Sequence, residues 1–117
     1  MNKIIFFLFY LSIPFNLNAT EFLSGNNLYS FGQSYKRTEI YSSPNDNYSS
    51  GLYTGYIAGV IAPTSIGGLF CPPNDITVGQ AADIVFKYLD SHPEIRNIQA
   101  NFLVVKAMTD AYPCKTK

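Results

Sequence analysis

Two cysteines in the second half of the chain, Cys71 and Cys114, constrain the fold more than any other feature. Cys71 is followed by two prolines, and Cys114 comes directly after Pro113. The sequence between them predicts two helices that are separated by Pro93. Two antiparallel helices of similar length return the chain to its starting point, where the two cysteines would lie within disulfide distance. This half of the chain therefore predicts a helical hairpin closed by a disulfide.

The first 19 residues predict a secretory signal peptide rather than part of the fold. Lys3 gives a positive start, residues 4–15 form an apolar run broken only by Ser12 and Pro14, and the segment ends at Ala19. This order is typical of a cleavable signal. The run is shorter than the roughly 20 residues of a membrane-spanning helix, and no cysteine follows it to carry a lipid. We expect an exported protein without a membrane segment after cleavage at about residue 19.

The charge balance limits the classes of partner. The chain has eight basic and eight acidic residues, and the signal removes only Lys3. A nearly neutral chain without a basic run lacks the charge pattern of proteins that bind nucleic acid or anionic membranes. A domain of this size is also marginally stable, so a cross-link would help it.

Two cysteines in a small exported domain favour a disulfide. A bridge of this loop length contributes about 4 kcal/mol in the chain-entropy model. A catalytic thiol is the alternative, but it needs a base, and His92 is the only histidine. A metal site is less favoured still, because two cysteines and one histidine stand in no ligand spacing. The acids are scattered over surface positions, so we predict no catalytic, metal or cofactor-binding residues and a binding protein rather than an enzyme.

Apolar periodicity predicts an all-α fold, a small bundle of about four helices stapled by one disulfide. The predicted helices span residues 24–34, 48–61, 78–91 and 97–111. Between the first two we expect a polar connection over residues 36–47, and between the second and third a glycine-containing loop over residues 64–69.

Several residues predict where the first and third helices begin and end. Ser24 is placed to cap the first helix, and Phe22 to pack onto its first turn. Thr77 and Gln80 form a capping box for the third helix. His92 lies at the C-terminus of that helix, where the helix dipole stabilises a protonated imidazole.

The second helix is predicted to begin at a cap from Ser49 or Ser50 and to end at Pro63. Its apolar stripe consists of two neighbouring rows, which are Tyr48, Leu52, Tyr56 and Val60, then Tyr53, Ile57 and Ile61. A third row contains three glycines, Gly51, Gly55 and Gly59. We expect the glycine row to pack closely inside the core. The buried side of the last helix is predicted from Ile98, Phe102, Val105, Met108 and Thr109, with Leu103 and Val104 thickening it.

An ordered set of short motifs runs through the mature chain. In sequence they are Ser24-Gly25-Asn26-Asn27-Leu28, Gly55-Tyr56-Ile57-Ala58-Gly59-Val60, Phe70-Cys71-Pro72-Pro73, Thr77-Val78-Gly79-Gln80, Tyr88-Leu89, His92-Pro93-Glu94, Ala100 and Ala111-Tyr112-Pro113-Cys114. In this order and spacing, over residues 22–114, they resemble the Rap/Tai family of periplasmic immunity proteins. Members of that family neutralise peptidoglycan amidase effectors of the type VI secretion system.

The resemblance implies an all-helical periplasmic domain that binds a cognate amidase toxin and blocks its active-site cleft, often as a homodimer. It implies no enzyme activity, no cofactor and a disulfide between Cys71 and Cys114. The chain departs from the family pattern at Gly32 and Tyr53, where two further cysteines are common. Their joint absence is what the loss of a whole second disulfide would produce.

Two functional hypotheses follow. The first is an immunity protein whose helical surface and adjacent loops fill a toxin's cleft, with residues 38–47 and 64–69 as the suggested contacts. The second is an exported accessory or structural protein that binds another component of the cell envelope. An enzyme would require a pocket with perturbed acids, which no pattern in the sequence indicates.

Overall fold

A computed structural model of the chain describes residues 23–115. Within that range lie four α-helices and a short 3-10 turn, and no strand is formed apart from one isolated bridge between Ser24 and Gln99. The helices are α1 (Gly25–Thr38), α2 (Pro44–Ile66), α3 (Val78–Ser91) and α4 (Ala100–Ala111), with the 3-10 turn at Pro93–Ile95. The all-α prediction is confirmed. The predicted signal over residues 1–19 and the packing of Phe22 lie outside the described residues.

Helix α1 begins at the predicted cap but extends further than expected. The Ser24 side chain accepts a hydrogen bond from the backbone N–H of Asn27 at 3.2 Å, and the Asn27 side chain completes the capping box. The helix continues to Thr38 instead of ending near residue 34. Lys36 and Arg37 occupy its last turn, where positive charge interacts favourably with the helix dipole.

Helix α2 starts earlier than predicted, and its cap is Ser43 rather than Ser49 or Ser50. The Ser43 hydroxyl accepts from the backbone N–H of Asp46 at 3.2 Å, and Pro44 follows it at the first helical position. Proline is well suited to that position because its missing N–H would have no helical partner there. Residues 44–47 of the predicted polar connection are therefore helical, as are residues 36–38 at the end of α1.

The predicted end of α2 at Pro63 is also wrong, because the helix continues through the proline to Ile66. Pro63 has no N–H to donate to the Gly59 carbonyl four residues earlier. Gly59 is exposed, so water can donate that hydrogen bond instead. Gly67 then caps the helix by donating to the Pro63 carbonyl at 3.0 Å. Gly68 turns the chain away with a φ of +76°, a conformation that favours glycine.

Helix α3 has the predicted bounds. The Thr77 hydroxyl accepts from the Gln80 backbone at 3.1 Å, and the Gln80 side chain accepts from the Thr77 backbone at 2.8 Å. His92 is the C-terminal cap, as predicted. Arg96 then folds back and donates to the Leu89 carbonyl at 2.7 Å, satisfying one of the carbonyls that a helix end leaves free.

Helix α4 begins at Ala100 rather than residue 97, because the chain before it pairs with the start of α1. Gly25 donates to the Ile98 carbonyl at 2.8 Å, and Ala100 donates to the Leu23 carbonyl at 2.7 Å. These bonds hold residues 98–100 beside residues 23–25. The backbone groups of residues 97–99 are thereby kept out of the helical pattern.

The core lies where all four helices meet. Its buried residues are Leu28, Tyr53, Ile57, Phe70, Ala81, Ala82, Val85, Leu89, Ala100, Leu103, Val104, Ala107 and Met108. The predicted face of α4 is partly wrong, since Phe102 is 61% exposed and Ile98 is 42% exposed. Ile98 lies before the first residue of α4, so it does not extend the predicted row that continues with Phe102 and Val105. The row of Leu103 and Ala107 faces the core instead.

Gly32 and Tyr53, where the resemblance implies two further cysteines, lie against each other. A Cβ atom built on Gly32 would be 3.1 Å from Cε2 of the Tyr53 ring. The Tyr53 hydroxyl donates to the Ala82 carbonyl at 2.7 Å, so the ring links α2 to α3 where it passes α1. A buried tyrosine thus fills the place that a second cross-link would take.

The predicted disulfide between Cys71 and Cys114 is present, with the two Cα atoms 4.9 Å apart. The Cys71 backbone donates to the Tyr112 carbonyl at 2.9 Å, and Phe70 beside it is 1% exposed. The end of α4 is therefore fastened to the segment that connects α2 and α3. Over the described residues, no helix is long and apolar enough to cross a membrane.

Candidate protein-docking surface

His92 and the two cysteines, the residues considered as a catalytic base and nucleophiles, make structural contacts. The Nδ1 atom of His92 lies 2.8 Å from the Tyr88 carbonyl, and its ring stacks on Tyr88 with centroids 4.3 Å apart. Both cysteines are in the disulfide, which removes them as nucleophiles. Among residues 23–115 no group of three or more metal-ligating side chains comes together.

Two carboxylates, Asp46 of α2 and Asp83 of α3, form ion pairs with basic residues of α1. Arg37 pairs with Asp46 at 2.7 Å and joins the last turn of α1 to the first turn of α2. The Arg37 guanidinium, helped by the Ser43 hydroxyl, lowers the pKa of Asp46 to about 2. Lys36 pairs with Asp83 at 3.2 Å. These contacts join α1 to α2 and α3, and Asp46 in the first turn is the only charged residue of α2.

The surface of α2 is the most unusual feature of the described chain. No residue between Asp46 and Asp75 carries a charge, although α2 is the longest helix at 23 residues. Tyr48 is 70% exposed and Leu52 is 39% exposed, so half of one predicted apolar row faces outward. Tyr53 and Ile57, in the neighbouring row, fill the core. A contiguous apolar surface without charge is a candidate contact site for another protein.

The glycine row of α2 faces open space, which corrects the prediction that it packs inside the core. A Cβ atom built at Gly51, Gly55 or Gly59 would meet no atom within 4 Å. Each glycine lowers helix stability by roughly 1 kcal/mol relative to alanine. Nothing in the described fold requires this absence of side chains.

Two shallow apolar grooves run beside α2. The groove on the α1 side has a volume of about 440 Å³. Its lining residues are Leu23, Phe31, Gly51, Leu52, Gly55 and Tyr56. The groove on the α3 side has a volume of about 230 Å³, and Ile61, Ala62, Ile76 and Val78 are among its lining residues. No charged side chain lines either groove, in contrast to a third groove between α3 and α4 that contains Lys87, His92 and Asp110.

The two loops predicted as contacts lie at opposite ends of α2. A helix of 23 residues is about 34 Å long, so a single narrow cleft cannot take both ends. At the first end, Ile40 is 92% exposed and Tyr41 is 74% exposed. At the second end, Ile66 is 89% exposed and Leu69 is 54% exposed. Each end presents two apolar side chains to solvent.

Periodicity alone does not predict the outer face of α2, because both the Tyr48 row and the Tyr53 row are apolar and either could face the core. The absence of charge between Asp46 and Asp75 was readable in the sequence and would have indicated this surface. A solvated helix face is normally polar or charged, so a long stretch without charge indicates either burial or a partner.

The fold and its surface define a class of protein: a small helical domain, clasped by one disulfide, whose most distinctive surface suits a protein partner. A search of curated proteins finds no match to the chain. The family model for Rap1a immunity proteins matches residues 24–114. The chain therefore belongs to the Rap1a immunity protein family, and such proteins bind a cognate toxin protein.

Proposed function

We propose that this chain is a periplasmic immunity protein that binds a type VI secretion peptidoglycan amidase and sterically neutralises it. The observation that carries the proposal is the family match over residues 24–114, nearly all of the described chain. The match supports an immunity role. The amidase target, the periplasmic location and the steric mechanism are what we propose beyond it.

The surface of α2 supports a steric mechanism. Its exposed tyrosine and leucine side chains and its two charge-free grooves form a preformed apolar surface. A surface without charged groups can be buried against a partner without leaving a charge unpaired. Inhibition of this kind needs no chemistry from the immunity protein.

Purification of partners from the periplasm tests the proposal. The chain is expressed with residues 1–19 and a C-terminal tag, and bound proteins are recovered under native conditions. Recovery of a peptidoglycan amidase whose hydrolysis of purified sacculi is abolished by the chain supports the proposal. Recovery of a different envelope component, with no effect on any amidase from the same cells, would instead support an accessory or structural role.

The proposed compartment has a separate test. An amidase that the chain inhibits is directed to the periplasm of a host cell, where it causes lysis. The chain with residues 1–19 should protect the cells, whereas a version that begins at Thr20 should not, because it remains in the cytoplasm. Equal protection by both versions would contradict a periplasmic site of action.

The proposal includes a homodimer, which rests on the resemblance. Light scattering of the purified mature chain should give twice the monomer mass at micromolar concentration. A monomer mass across the accessible concentration range would remove the dimer and leave the immunity role intact.

A further inference from the structure

The groove between α3 and α4 is separate from the α2 surface and differs from it in chemistry. We call it the α3–α4 groove. Its volume is about 410 Å³, which is within the range of sites for small ligands. Ile84, Ala107 and Ala111 give it an apolar lining, and Lys87 and Asp110 add a charge of each sign. The two grooves beside α2 have no charged lining residue, so this one suits a different kind of ligand.

Two aromatic rings form one wall of the α3–α4 groove. The rings of Tyr88 and His92 stack with their centroids 4.3 Å apart. The Nδ1 atom of His92 lies 2.8 Å from the Tyr88 carbonyl oxygen, which fixes the imidazole relative to the helix. A wall that is already ordered loses little conformational entropy when a ligand binds against it.

Lys87, on the α3 side of the groove, has no acidic partner in the described part of the chain. It takes part in none of the ion pairs of residues 23–115. Asp83, one turn before it, pairs with Lys36 at 3.2 Å. Asp90, almost one turn after it, accepts a hydrogen bond from the Tyr29 hydroxyl at 2.7 Å. The Lys87 ammonium is therefore available to a carboxylate, and such charge-assisted hydrogen bonds are among the stronger ones.

Asp110, on the α4 side of the groove, has the opposite preference. Its Oδ1 atom accepts a hydrogen bond from Lys106 at 2.6 Å, and its side chain remains 49% exposed. The Oδ2 atom makes no hydrogen bond to the described residues. Helix α4 ends at the next residue, Ala111, and the C-terminus of a helix attracts positive charge. This side of the groove therefore suits an ammonium group.

We propose that the α3–α4 groove binds a short zwitterionic peptide. Lys87 and the hydroxyl of Ser91, which also lines the groove, take the carboxylate of the peptide. Asp110 takes its ammonium group, and the peptide backbone lies against the rings of Tyr88 and His92. The opposite charges on the two sides of the groove favour a ligand that carries both charges over one that carries a single charge or none.

Peptidoglycan is the source of such peptides in the compartment proposed above. Its stem peptides are short, carry free carboxylates and, where the cross-linking residue is a diamino acid, carry a free amine. Hydrolysis of one of their amide bonds adds water across the C–N bond and leaves a further carboxylate and a further ammonium group. The site goes beyond the proposed function, because steric inhibition does not use it, and only the choice of source rests on the proposed compartment.

Titration without any toxin tests the site. The probe is the synthetic stem tripeptide L-alanyl-γ-D-glutamyl-meso-diaminopimelate, added to the isotope-labelled mature chain while amide NMR shifts are recorded. Saturable shifts are expected at residues that line the α3–α4 groove, with a Kd of about 1 mM or lower. The same peptide with its amines acetylated, or with its carboxylates amidated, should bind about tenfold more weakly, because one charge-assisted contact is lost in each case. No saturable shifts, or shifts centred on α2, would overturn the proposal.

Matched lysine variants test the role of Lys87. Lys87→Met removes the charge, keeps the length of the side chain and should weaken binding about tenfold, whereas Lys87→Arg should restore it. The control is Lys115→Met, at an exposed lysine outside the groove, which should change binding less than twofold. Equal weakening by both methionine variants would overturn the site, because it would indicate general charge attraction.

Two further comparisons separate this proposal from the rest. An all-L tripeptide with the same charges that binds equally well would keep the site and overturn peptidoglycan as the specific source. Lys87→Met should still inhibit the toxin fully, so a failure of the groove to bind peptide and a failure of the proposed function give different results.

Discussion

Replacement of the outward-facing glycines of α2 by alanine should stabilise the protein. A Cβ atom at Gly51, Gly55 or Gly59 meets nothing within 4 Å, so alanine adds no overlap. Alanine is preferred over glycine in an exposed helix interior by roughly 0.8–1.0 kcal/mol, because glycine loses more backbone entropy on folding. None of the three sites has a packing partner, so the gains should be nearly additive. The triple variant should gain about 2.5 kcal/mol in free energy of unfolding.

Urea unfolding followed by circular dichroism measures this gain. For a domain of this size, each kcal/mol raises Tm by about 4–8 °C, so the triple variant should melt on the order of 10 °C or more above the parent. Gly32→Ala is the matched control, because a Cβ there would lie 2.8 Å from the Phe86 ring and 3.1 Å from the Tyr53 ring. That overlap in the core should cost about 1–3 kcal/mol.

A triple variant that is less stable than the parent would refute the reasoning, because it would mean that the glycine face is covered in solution. Unfolding at several protein concentrations would then show whether a second copy of the chain covers the glycine face, because a contact between two copies makes the stability of the parent depend on protein concentration. If the variant is stabilised as expected and still inhibits its toxin fully, the glycine row is outside the contact. If it is stabilised but inhibits weakly, the row accommodates the partner.

Three further predictions concern single features of the fold. Tyr53→Phe should lose about 1–2 kcal/mol, because the Ala82 carbonyl is left without its buried donor. Burial raises the pKa of Tyr53, so its contribution to the free energy of unfolding is present below about pH 10, the ordinary tyrosine pKa, and is lost as pH rises beyond it. The loss of stability between pH 8 and pH 11 should therefore be smaller in the variant than in the parent. An equal loss in both proteins would contradict this. Cys71→Ala with Cys114→Ala should lose about 4 kcal/mol, and a parent that is equally stable with and without reductant would show that the clasp contributes nothing. Arg37 lowers the pKa of Asp46 to about 2, so the stabilising contribution of the Asp46 carboxylate is present above pH ~4 and is lost as pH falls toward 2. In Asp46→Asn, stability should therefore depend less on pH in that window. An unchanged pH dependence would mean that another group causes the acid unfolding.

The parts of the fold that sequence predicted well are those set by local chemistry. Helix α3 has the predicted bounds because the Thr77 and Gln80 box begins it and Pro93 cannot continue it. The disulfide follows from two cysteines that bracket a hairpin. In each case a few neighbouring residues determine the outcome, and no knowledge of the remaining chain is needed.

Proline was the main source of error in helix boundaries. The sequence pattern places Pro44 in a loop and Pro63 at a helix end, yet both lie inside α2. Proline fits the first turn of a helix, where its missing N–H is not used. In the last turn of a helix, proline removes one backbone hydrogen bond. The loss of helix stability is small where the unpaired carbonyl is exposed to water. Composition alone cannot distinguish these positions from a true break.

The orientation of helix faces depends on contacts that are distant in sequence. In α2 the choice between the Tyr48 row and the Tyr53 row is decided by the packing of Tyr53 against α1 and α3. In α4 it is decided by the backbone pairing of residues 96–100 with the start of α1. The candidate surface is the part of α2 that this packing leaves outside. The lack of charge between Asp46 and Asp75 was a signal in the sequence that the prediction did not use, and only the fold shows which side of α2 is open.

The clasp between Cys71 and Cys114 has a consequence for when the protein becomes competent. A cytoplasm keeps thiols reduced, whereas an envelope compartment oxidises them. For a chain exported as proposed, the contact between the Cys114 sulfur and the Gly68 carbonyl would be fixed by the disulfide only after export. Oxidation after export would complete the inhibitor at the place where its toxin acts.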